Sequence, residues 1–447
     1  MDAIIVSATP IVSPPTSLDG RTILRFAHAY ETGGGTERYL DDLDRALLER
    51  HALTIFRLHL TRRNPAPAPE TELVGRGRLV RIPLPIRPAE DGISAEDEHS
   101  FRERARAVFR DHVLYNPVVW RLYGAKWTAG RPLAPAPDQA IGAGDTVERI
   151  IREQKVDLAM LHFFGGADAE EVILSARRHE VPVALLNHYA NDRYLHLAIR
   201  KHVMLSQAAA GVNGLDVPGY VRGKFTNLSD GIDTAFFRPD HARPLANPPA
   251  QPVILLPARV IREKGQLDLV RAIAEVRRSG VDCCVAFAGR VDSSGFVDEL
   301  RAEIARLGLG DRTHFLGALG LEQLRDWYAA STAVALPTYH HEGLPRVILE
   351  ALAMHRPVVA YTSGGVADGI VDGNTGFLLT PGNIGGLSRR LRELLTSPAL
   401  VTTMGQNGRA AAEARFSLAA LAERHAKFYW KQIGESRRGS SPVSGSR

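Results

Sequence analysis

The chain has 447 residues, more than one ordinary hydrophobic core accommodates, so we expect two domains of roughly 200 residues each. Apolar residues make up 45% of it, which excludes general disorder. The formal net charge is only +5, so a mildly basic surface fits anionic small molecules, anionic lipid headgroups or nucleic acid without distinguishing among them.

The first half of the chain has the pattern of an α/β domain. An apolar strand at 23–28, a glycine turn at 33–35 and a helically spaced segment at 36–50 form the opening of a β–α unit. Three carboxylates of that segment are expected to face solvent, namely Asp41, Asp42 and Asp44. Further strands are predicted at 53–58, 158–164 and 181–188. Between them, 64–144 shows no clear element except an Arg-rich amphipathic helix at 101–113.

A proline-rich linker separates the two halves. Residues 239–252 contain five prolines, which prevent a regular helix or strand. Beyond them, strands and helices alternate regularly, and this predicts a parallel sheet covered by helices. The strands are predicted at 253–257, 281–288, 313–316, 333–337, 358–361 and 376–379. The helices are predicted at 266–278, 295–307, 321–329, 345–354 and 384–395.

This organisation predicts two Rossmann-like α/β domains facing a central cleft, where ligands of open sheets bind at the carboxyl ends of the strands. The first domain is assigned to 1–240 and the second to 250–416. The amphipathic helix at 417–433 is expected to pack back on the first domain. The Gly/Ser-rich tail at 434–447 is expected to be disordered.

The chain has the features of a cytoplasmic protein. Its two cysteines, Cys283 and Cys284, are neighbours in an apolar run, as is typical of buried thiols in a reducing compartment. Residues 1–15 have no basic segment and are interrupted by Pro10, so a signal peptide is not expected. No apolar run approaches the roughly 20 residues of a membrane span.

Four charged residues stand where α/β proteins bind anions and hydroxyls. Arg259 and Lys264 bracket a turn between a strand and a helix, where two cations and a positive helix end form a pyrophosphate site. Glu342 lies in the turn after another strand. Glu350 lies inside the following apolar helix, and a carboxylate there needs a partner. A ribose diol satisfies it, and an arginine satisfies it equally well.

These residues carry a family resemblance. The segment PTYHHEGLPRVILEALA resembles the E-x7-E motif of retaining glycosyltransferases with the GT-B fold, specifically the family-4 group. ARVIREKGQ is similar to the family's phosphate-binding element, and LSDGIDTAFFRP is similar to its interdomain segment. TSGGVADGIVDGNTGFLLTPG resembles its glycine-rich run, and GGTER, which ends at Arg38, resembles the GGAER that opens its first helix.

The resemblance implies a GT-B architecture and a role for each matched charge. Arg259 and Lys264 would neutralise the donor diphosphate and stabilise it as it leaves. Glu350 would hold the ribose, and Glu342 would contact the transferred sugar.

The resemblance also implies roles for smaller groups and one histidine. The loop at Gly34 and Gly35 would approach the donor diphosphate. Backbone amides at Gly343 and Leu344 would contact sugar and phosphate. His188, at the end of a strand of the first domain, would lie beside the reacting sugar and the acceptor.

The implied activity is that of a retaining glycosyltransferase. It would move a hexose or N-acetylhexosamine from a nucleotide sugar, with UDP favoured over GDP, to a glycan, glycolipid or small-molecule acceptor. Because no D-x-D ends a strand, no metal or other cofactor is expected, and cations and helix dipoles would stabilise the leaving group. Two alternatives stay open: a nucleotide-sugar hydrolysing epimerase of the same fold, and a non-catalytic nucleotide-sugar-binding protein.

The acceptor side is not defined by any motif. The basic helix with Arg102, Arg106 and Arg110 fits peripheral contact with an anionic membrane, and it equally fits a solvated surface helix. Nucleic acid is not expected as a partner, because no recognised binding module accompanies the charge.

Overall fold

The structure is a computed structural model. It describes residues 17–30, 35–61, 66–85, 143–162, 167–187, 206–209, 225–291, 294–340 and 342–439. The basic helix predicted at 101–113 lies outside the described residues, as do residues 440–447 of the predicted tail.

The first half of the chain forms an eight-stranded sheet in the order β3-β4-β2-β1-β5-β6-β7-β8. Its strands are β1 Thr22–Tyr30, β2 Thr54–Thr61, β3 Glu70–Val74, β4 Gly77–Pro85, β5 Leu158–His162, β6 Val183–Asn187, β7 Ser206–Ala209 and β8 Phe225–Asn227. Its helices are α1 Gly35–Arg50, α2 Ala143–Gln154 and α3 Ala167–Arg178. The strands pair in parallel except for β3 and β4, which form an antiparallel hairpin at one edge.

The second half forms a six-stranded, wholly parallel sheet in the order β11-β10-β9-β12-β13-β14. Its strands are β9 Val253–Leu256, β10 Cys284–Ala288, β11 Thr313–Gly317, β12 Ala333–Leu336, β13 Val358–Tyr361 and β14 Gly376–Leu379. Its helices are α4 Gln266–Arg278, α5 Ser294–Arg306, α6 Leu321–Ala330, α7 Arg346–Ala353, α8 Val366–Gly369, α9 Ile384–Thr396 and α10 Pro398–Ala411.

Buried apolar clusters cover both faces of each sheet, as parallel strands require. Strands β9, β12 and β13 are buried at every position, which explains their continuous apolar sequences. Both cysteines are buried and unbridged, and burial raises the pKa of the Cys283 thiol to about 12. The two-sheet α/β architecture predicted from the sequence is confirmed.

The last helix, α11 Leu418–Gly439, packs on the first sheet. Its Leu421, Tyr429 and Ile433 share a buried cluster with Tyr39 and Leu43 of α1. The helix continues past residue 433, where a disordered tail was predicted, and ends at Gly439. None of the helices within the described residues combines the length and apolarity needed to cross a bilayer.

The expectation that three carboxylates of α1 face solvent was wrong for Asp42 and Asp44. The Asp42 side chain is 28% exposed and forms an ion pair with Arg346. Asp44 was expected to face solvent, but its side chain is fully buried and forms ion pairs with Arg25, at 3.0 Å, and with Arg57, at 3.2 Å. Asp41 is half exposed and also pairs with Arg57. The arginines lie on β1 and β2, so the acidic face of α1 meets charges that helical spacing alone does not reveal.

Candidate functional site

The strand order reverses at one point in each sheet, between β1 and β5 in the first and between β9 and β12 in the second. Chains that leave such neighbouring strands run to opposite sides and open a crevice at the carboxyl ends. Arg259 and Lys264 follow β9, and Glu342 follows β12. The charged residues singled out in the sequence therefore converge on the ligand-binding edge of the second sheet.

A tight turn holds Lys264 at this edge. Residues Arg262–Lys264 form one 3-10 turn, and Gly265 follows in the left-handed region with φ +75°. A Cβ on Gly265 would lie 1.9 Å from the carbonyl oxygen of Pro337, so glycine is required for both conformation and space. The same turn is tied to the loop after β12, because the main-chain N–H of Tyr339 donates to the carbonyl oxygen of Glu263 at 2.8 Å.

Lys264 and Glu342 form an ion pair across the crevice. Both side chains are mostly buried, with 12% and 13% of their surface exposed. The hydroxyl of Thr338 lies 3.3 Å from the same carboxylate. The residue predicted for the diphosphate and the residue predicted for the sugar are thus direct neighbours.

A pair of glycines supports the loop that carries Glu342. The main-chain N–H of Gly365 donates to the carbonyl oxygen of Glu342 at 2.9 Å. A Cβ on Gly364 would lie 2.2 Å from that carbonyl oxygen, and one on Gly365 would lie 2.3 Å from the carbonyl oxygen of Gly343. The glycine-rich segment after β13 therefore packs backbone against backbone and fixes the position of the site loop.

Glu350 is fully buried in α7, and two side chains of the described residues hydrogen-bond to it. The hydroxyl of Tyr328, on α6, donates to its Oε2 at 2.8 Å, and burial raises the pKa of that tyrosine well above its usual value. Arg38, on α1 of the first half, donates to its Oε1 at 3.3 Å. The sequence left a ribose diol or an arginine open as the partner of Glu350, and Arg38 is such an arginine.

A second pair of charges joins the same two helices. Arg346, one turn before Glu350, forms ion pairs with Asp42 of α1 and, at 3.2 Å, with Asp230. Arg38 and Asp42 are four residues apart on α1, as Arg346 and Glu350 are on α7, so two opposite charges on each helix face their complements. We call the pairs Arg38–Glu350 and Asp42–Arg346 the α1–α7 charge ladder.

Burial sets the electrostatics around the ladder. It raises the pKa of Asp230 to about 6, although Arg346 and the main-chain N–H of Gly231 oppose this rise. Burial also opposes the charge on Arg346, but Asp230 and Asp42 outweigh it and raise the pKa of the guanidinium.

The remaining predicted residues fall into two groups. Arg259 is exposed, and Leu344 is buried with its side chain in the core. Gly343 lies in the loop between β12 and α7, and Gly35 is the first residue of α1. Gly34 and His188 lie outside the described residues, so their predicted roles stay predictions.

Three site residues, Arg38, Tyr328 and Arg346, were not predicted from the sequence. Arg38 and Arg346 lie within segments that carry the resemblance, but no role was assigned to either of them, and Tyr328 lies in none of these segments. The signal in the sequence was the carboxylate of Glu350 within an apolar helix, which indicated that a partner exists but not which residue it is. In the part of the chain described here, no three His, Cys, Asp or Glu side chains group as metal ligands. Metal independence is still a prediction.

Comparison with known proteins identifies the second half of the chain most directly. Residues 237–411 match the family Glycosyl transferases group 1. A lipopolysaccharide core biosynthesis mannosyltransferase, LpcC of Rhizobium leguminosarum bv. viciae, is 29% identical over 218 residues, which are 47% of this chain and 61% of the relative. The alpha-D-kanosaminyltransferase of Streptomyces kanamyceticus is 32% identical over 184 residues, which are 41% of this chain and 46% of the relative. The chain thus spans about half the length of these curated relatives.

Solved structures match nearly the whole chain. A glycosyltransferase from Rickettsia africae ESF-5 has a TM-score of 0.65 at 16% identity and covers 92% of this chain and 98% of its own. Anabaena HepE in complex with UDP has a TM-score of 0.61 at 18% identity, with coverages of 91% and 99%. At these identities the likeness concerns the fold. The chain has the GT-B fold, and its residues 237–411 are similar to the glycosyl transferases group 1 family.

Proposed function

We propose that this protein is a glycosyltransferase that takes a hexose or N-acetylhexosamine from a nucleoside diphosphate sugar. The observation that carries the proposal is the meeting of Lys264 and Glu342 where the strand order of the second sheet reverses. A cation there suits a diphosphate, and a neighbouring carboxylate suits sugar hydroxyls. Arg259, exposed after the adjoining strand, adds a second positive charge.

The proposed reaction retains the anomeric configuration. The bond between the anomeric carbon and the diphosphate oxygen breaks, and negative charge develops on the leaving group, where Lys264 and Arg259 stabilise it. The acceptor oxygen attacks the same face, and its proton passes to the departing diphosphate oxygen. Glu342 stabilises the positive charge that develops on the sugar ring. Comparison of the anomeric configuration of donor and product by NMR tests retention, and an inverted product would exclude it.

The nucleotide is the least constrained part of the donor. The resemblance favours UDP, and a neighbour with the same fold is solved with UDP. However, a relative from Mycolicibacterium smegmatis, 29% identical over 214 residues, is named as GDP-mannose-dependent. The preference for UDP is therefore a proposal that a direct donor comparison must decide.

The deciding experiment is calorimetric titration with UDP-, GDP-, ADP- and dTDP-sugars, followed by product analysis with the donor that binds. We expect one nucleotide class to bind and a glycosylated acceptor to form. Binding of none of the four would contradict the proposal. Free nucleotide together with an altered sugar, and no glycosylated acceptor, would favour the epimerase. Binding without any turnover would favour a non-catalytic protein.

We propose a glycan or a lipid-linked glycan as the acceptor. The support is indirect: the relatives named above include a lipopolysaccharide core enzyme, and another is named for phosphatidylinositol monomannoside. Membrane contact through Arg102, Arg106 and Arg110 belongs to this proposal. Sedimentation with anionic vesicles, compared with a charge-reversed triple variant, tests it, and equal binding of the two proteins would remove it.

A further inference from the structure

Glu350 is the only side chain of the α1–α7 charge ladder that the resemblance assigns to the donor. Its carboxylate is nevertheless completely enclosed, with 0% of the side chain exposed. A ribose diol needs the lone pairs of that carboxylate, so one of the groups covering it has to move before the diol reaches it.

The two partners of Glu350 differ in their freedom to move. Tyr328 is fully buried within the second half of the chain and packs edge-on against Phe237, with the two ring centroids 6.3 Å apart. Arg38 comes from the other half of the chain, and 30% of its side chain is exposed. A flexible, partly solvated arginine can exchange its hydrogen bond to the carboxylate for hydrogen bonds to water. A buried tyrosine hydroxyl that left the carboxylate would have no water to bond instead.

We infer that Arg38 is a positioning residue that covers Glu350 and gives it up to the ribose of the donor. This inference rests on the proposed function. Arg38 and the ribose diol compete for the Oε1 atom of Glu350, so each molecule of bound nucleotide releases one contact between α1 and α7. Asp42–Arg346 remains as the rung that keeps the two helices together.

The competition makes a prediction that depends on the ribose hydroxyls. In Arg38→Met the carboxylate is already free of its competitor, so nucleotides with a diol gain affinity relative to nucleotides without one. Loss of the positive charge weakens all diphosphates alike, and this effect cancels when the two dissociation constants are divided. We therefore expect the ratio of the Kd of 2′,3′-dideoxy-UDP to the Kd of UDP to rise about three- to tenfold in the variant.

The experiment is calorimetry with these two nucleotides, or with the guanosine pair if the wild type binds GDP and not UDP. Arg45→Met is the matched control: it removes the same charge from the same helix, at an arginine that is 60% exposed and 4.0 Å from Glu72, and it should leave the ratio unchanged. Arg38→Lys keeps the charge but loses the planar fork, and it should give an intermediate ratio even if Arg38→Met folds poorly.

Two results would overturn the inference while leaving the proposed function intact. An unchanged ratio in both Arg38 variants would show that Arg38 does not compete with the ribose. A lower ratio would show that Arg38 assists the diol contact. If the wild type binds none of the four nucleotide classes, the proposed function fails first, and the inference falls with it.

Discussion

Lys264 and Glu342 lie 78 residues apart in the sequence and form an ion pair at the carboxyl edge of the second sheet. The two residues follow strands β9 and β12, between which the strand order reverses. Because the pair is mostly buried, each charge depends on the other for its stabilisation. In the proposed function, a diphosphate would offer Lys264 a second anionic partner and would leave Glu342 available to the sugar. The pair would then link recognition of the two ends of the donor.

Removal of the positive charge at position 264 should impair turnover. We expect Lys264→Met to lower kcat/KM by about 10²–10³, because the leaving diphosphate loses a prearranged cation. The measurement is steady-state kinetics with the donor that calorimetry selects. Arg271→Met, which removes an exposed charge from α4, should behave like the wild type. Equal rates for Lys264→Met and the wild type would show that Lys264 does not stabilise the leaving group.

Gly265 should tolerate no side chain. In Gly265→Ala the new Cβ would meet the carbonyl oxygen of Pro337 at 1.9 Å, and the residue would keep a positive φ. We expect a loss of more than about 3 kcal/mol in the free energy of unfolding, since overlap is added to backbone strain.

Gly280→Ala is the matched control for Gly265→Ala. Gly280 has φ +88°, but nothing lies within 4 Å of its added Cβ. Strain alone then applies, and the expected loss is about 1 kcal/mol. Urea unfolding of the two variants separates the effects. Equal losses would mean that the turn after β9 has room to relax away from β12.

The fold of the second half was predictable because its signals are local. Strands β13 and β14 and helix α4 have the predicted bounds, since buried parallel strands are short, continuous apolar runs between turn residues. The hairpin of β3 and β4 was missed. Glu70–Val74 has charged or polar residues at three of five positions, and at an edge strand one face stays exposed, so no apolar run marks it.

The sequence predicted which residues lie at the site but not the contacts that distant segments make there. Motif spacing placed Lys264 and Glu342 at the ends of strands, and burial required a partner for Glu350. The identity of that partner is a tertiary fact, because Arg38 and Glu350 are separated by 312 positions. Asp42 shows the same limit: helical spacing predicts a solvated carboxylate, whereas the structure pairs it with Arg346.

Loss of Arg346 should destabilise the protein strongly. Its guanidinium holds both Asp42 and Asp230, and Arg346→Met leaves the buried carboxylate of Asp230 without its cationic partner. We expect the free energy of unfolding to fall by about 3–5 kcal/mol in urea titrations.

Lys427→Met serves as the comparison for Arg346→Met. Lys427 pairs with Glu423 on the exposed face of α11, where both side chains are about half exposed or more. A pair of this kind contributes about 0–1 kcal/mol. If Arg346→Met lowered the free energy of unfolding no more than Lys427→Met does, the Asp42–Arg346 pair would not contribute to stability.

Asp230 should make stability depend on pH in an unusual direction. Burial raises its pKa from 3.8 to about 6, so between these values the folded protein keeps a proton that the unfolded chain has lost. A group that binds the proton more tightly when folded stabilises the protein fully below the lower value. That stabilisation is lost as the pH rises through the higher one.

The free energy of unfolding of the wild type minus that of Asp230→Asn should therefore fall across this window, by up to about 3 kcal/mol. Subtraction removes the carboxyl groups and histidines that both proteins share. Asp240→Asn is the control, because Arg238 lowers the pKa of the exposed Asp240 carboxyl, and its difference should not fall as the pH rises through this window. If the difference for Asp230 rose with pH, the effect of Arg346 on the pKa of Asp230 would outweigh that of burial. Arg346 and Asp230 would then form an ordinary salt bridge.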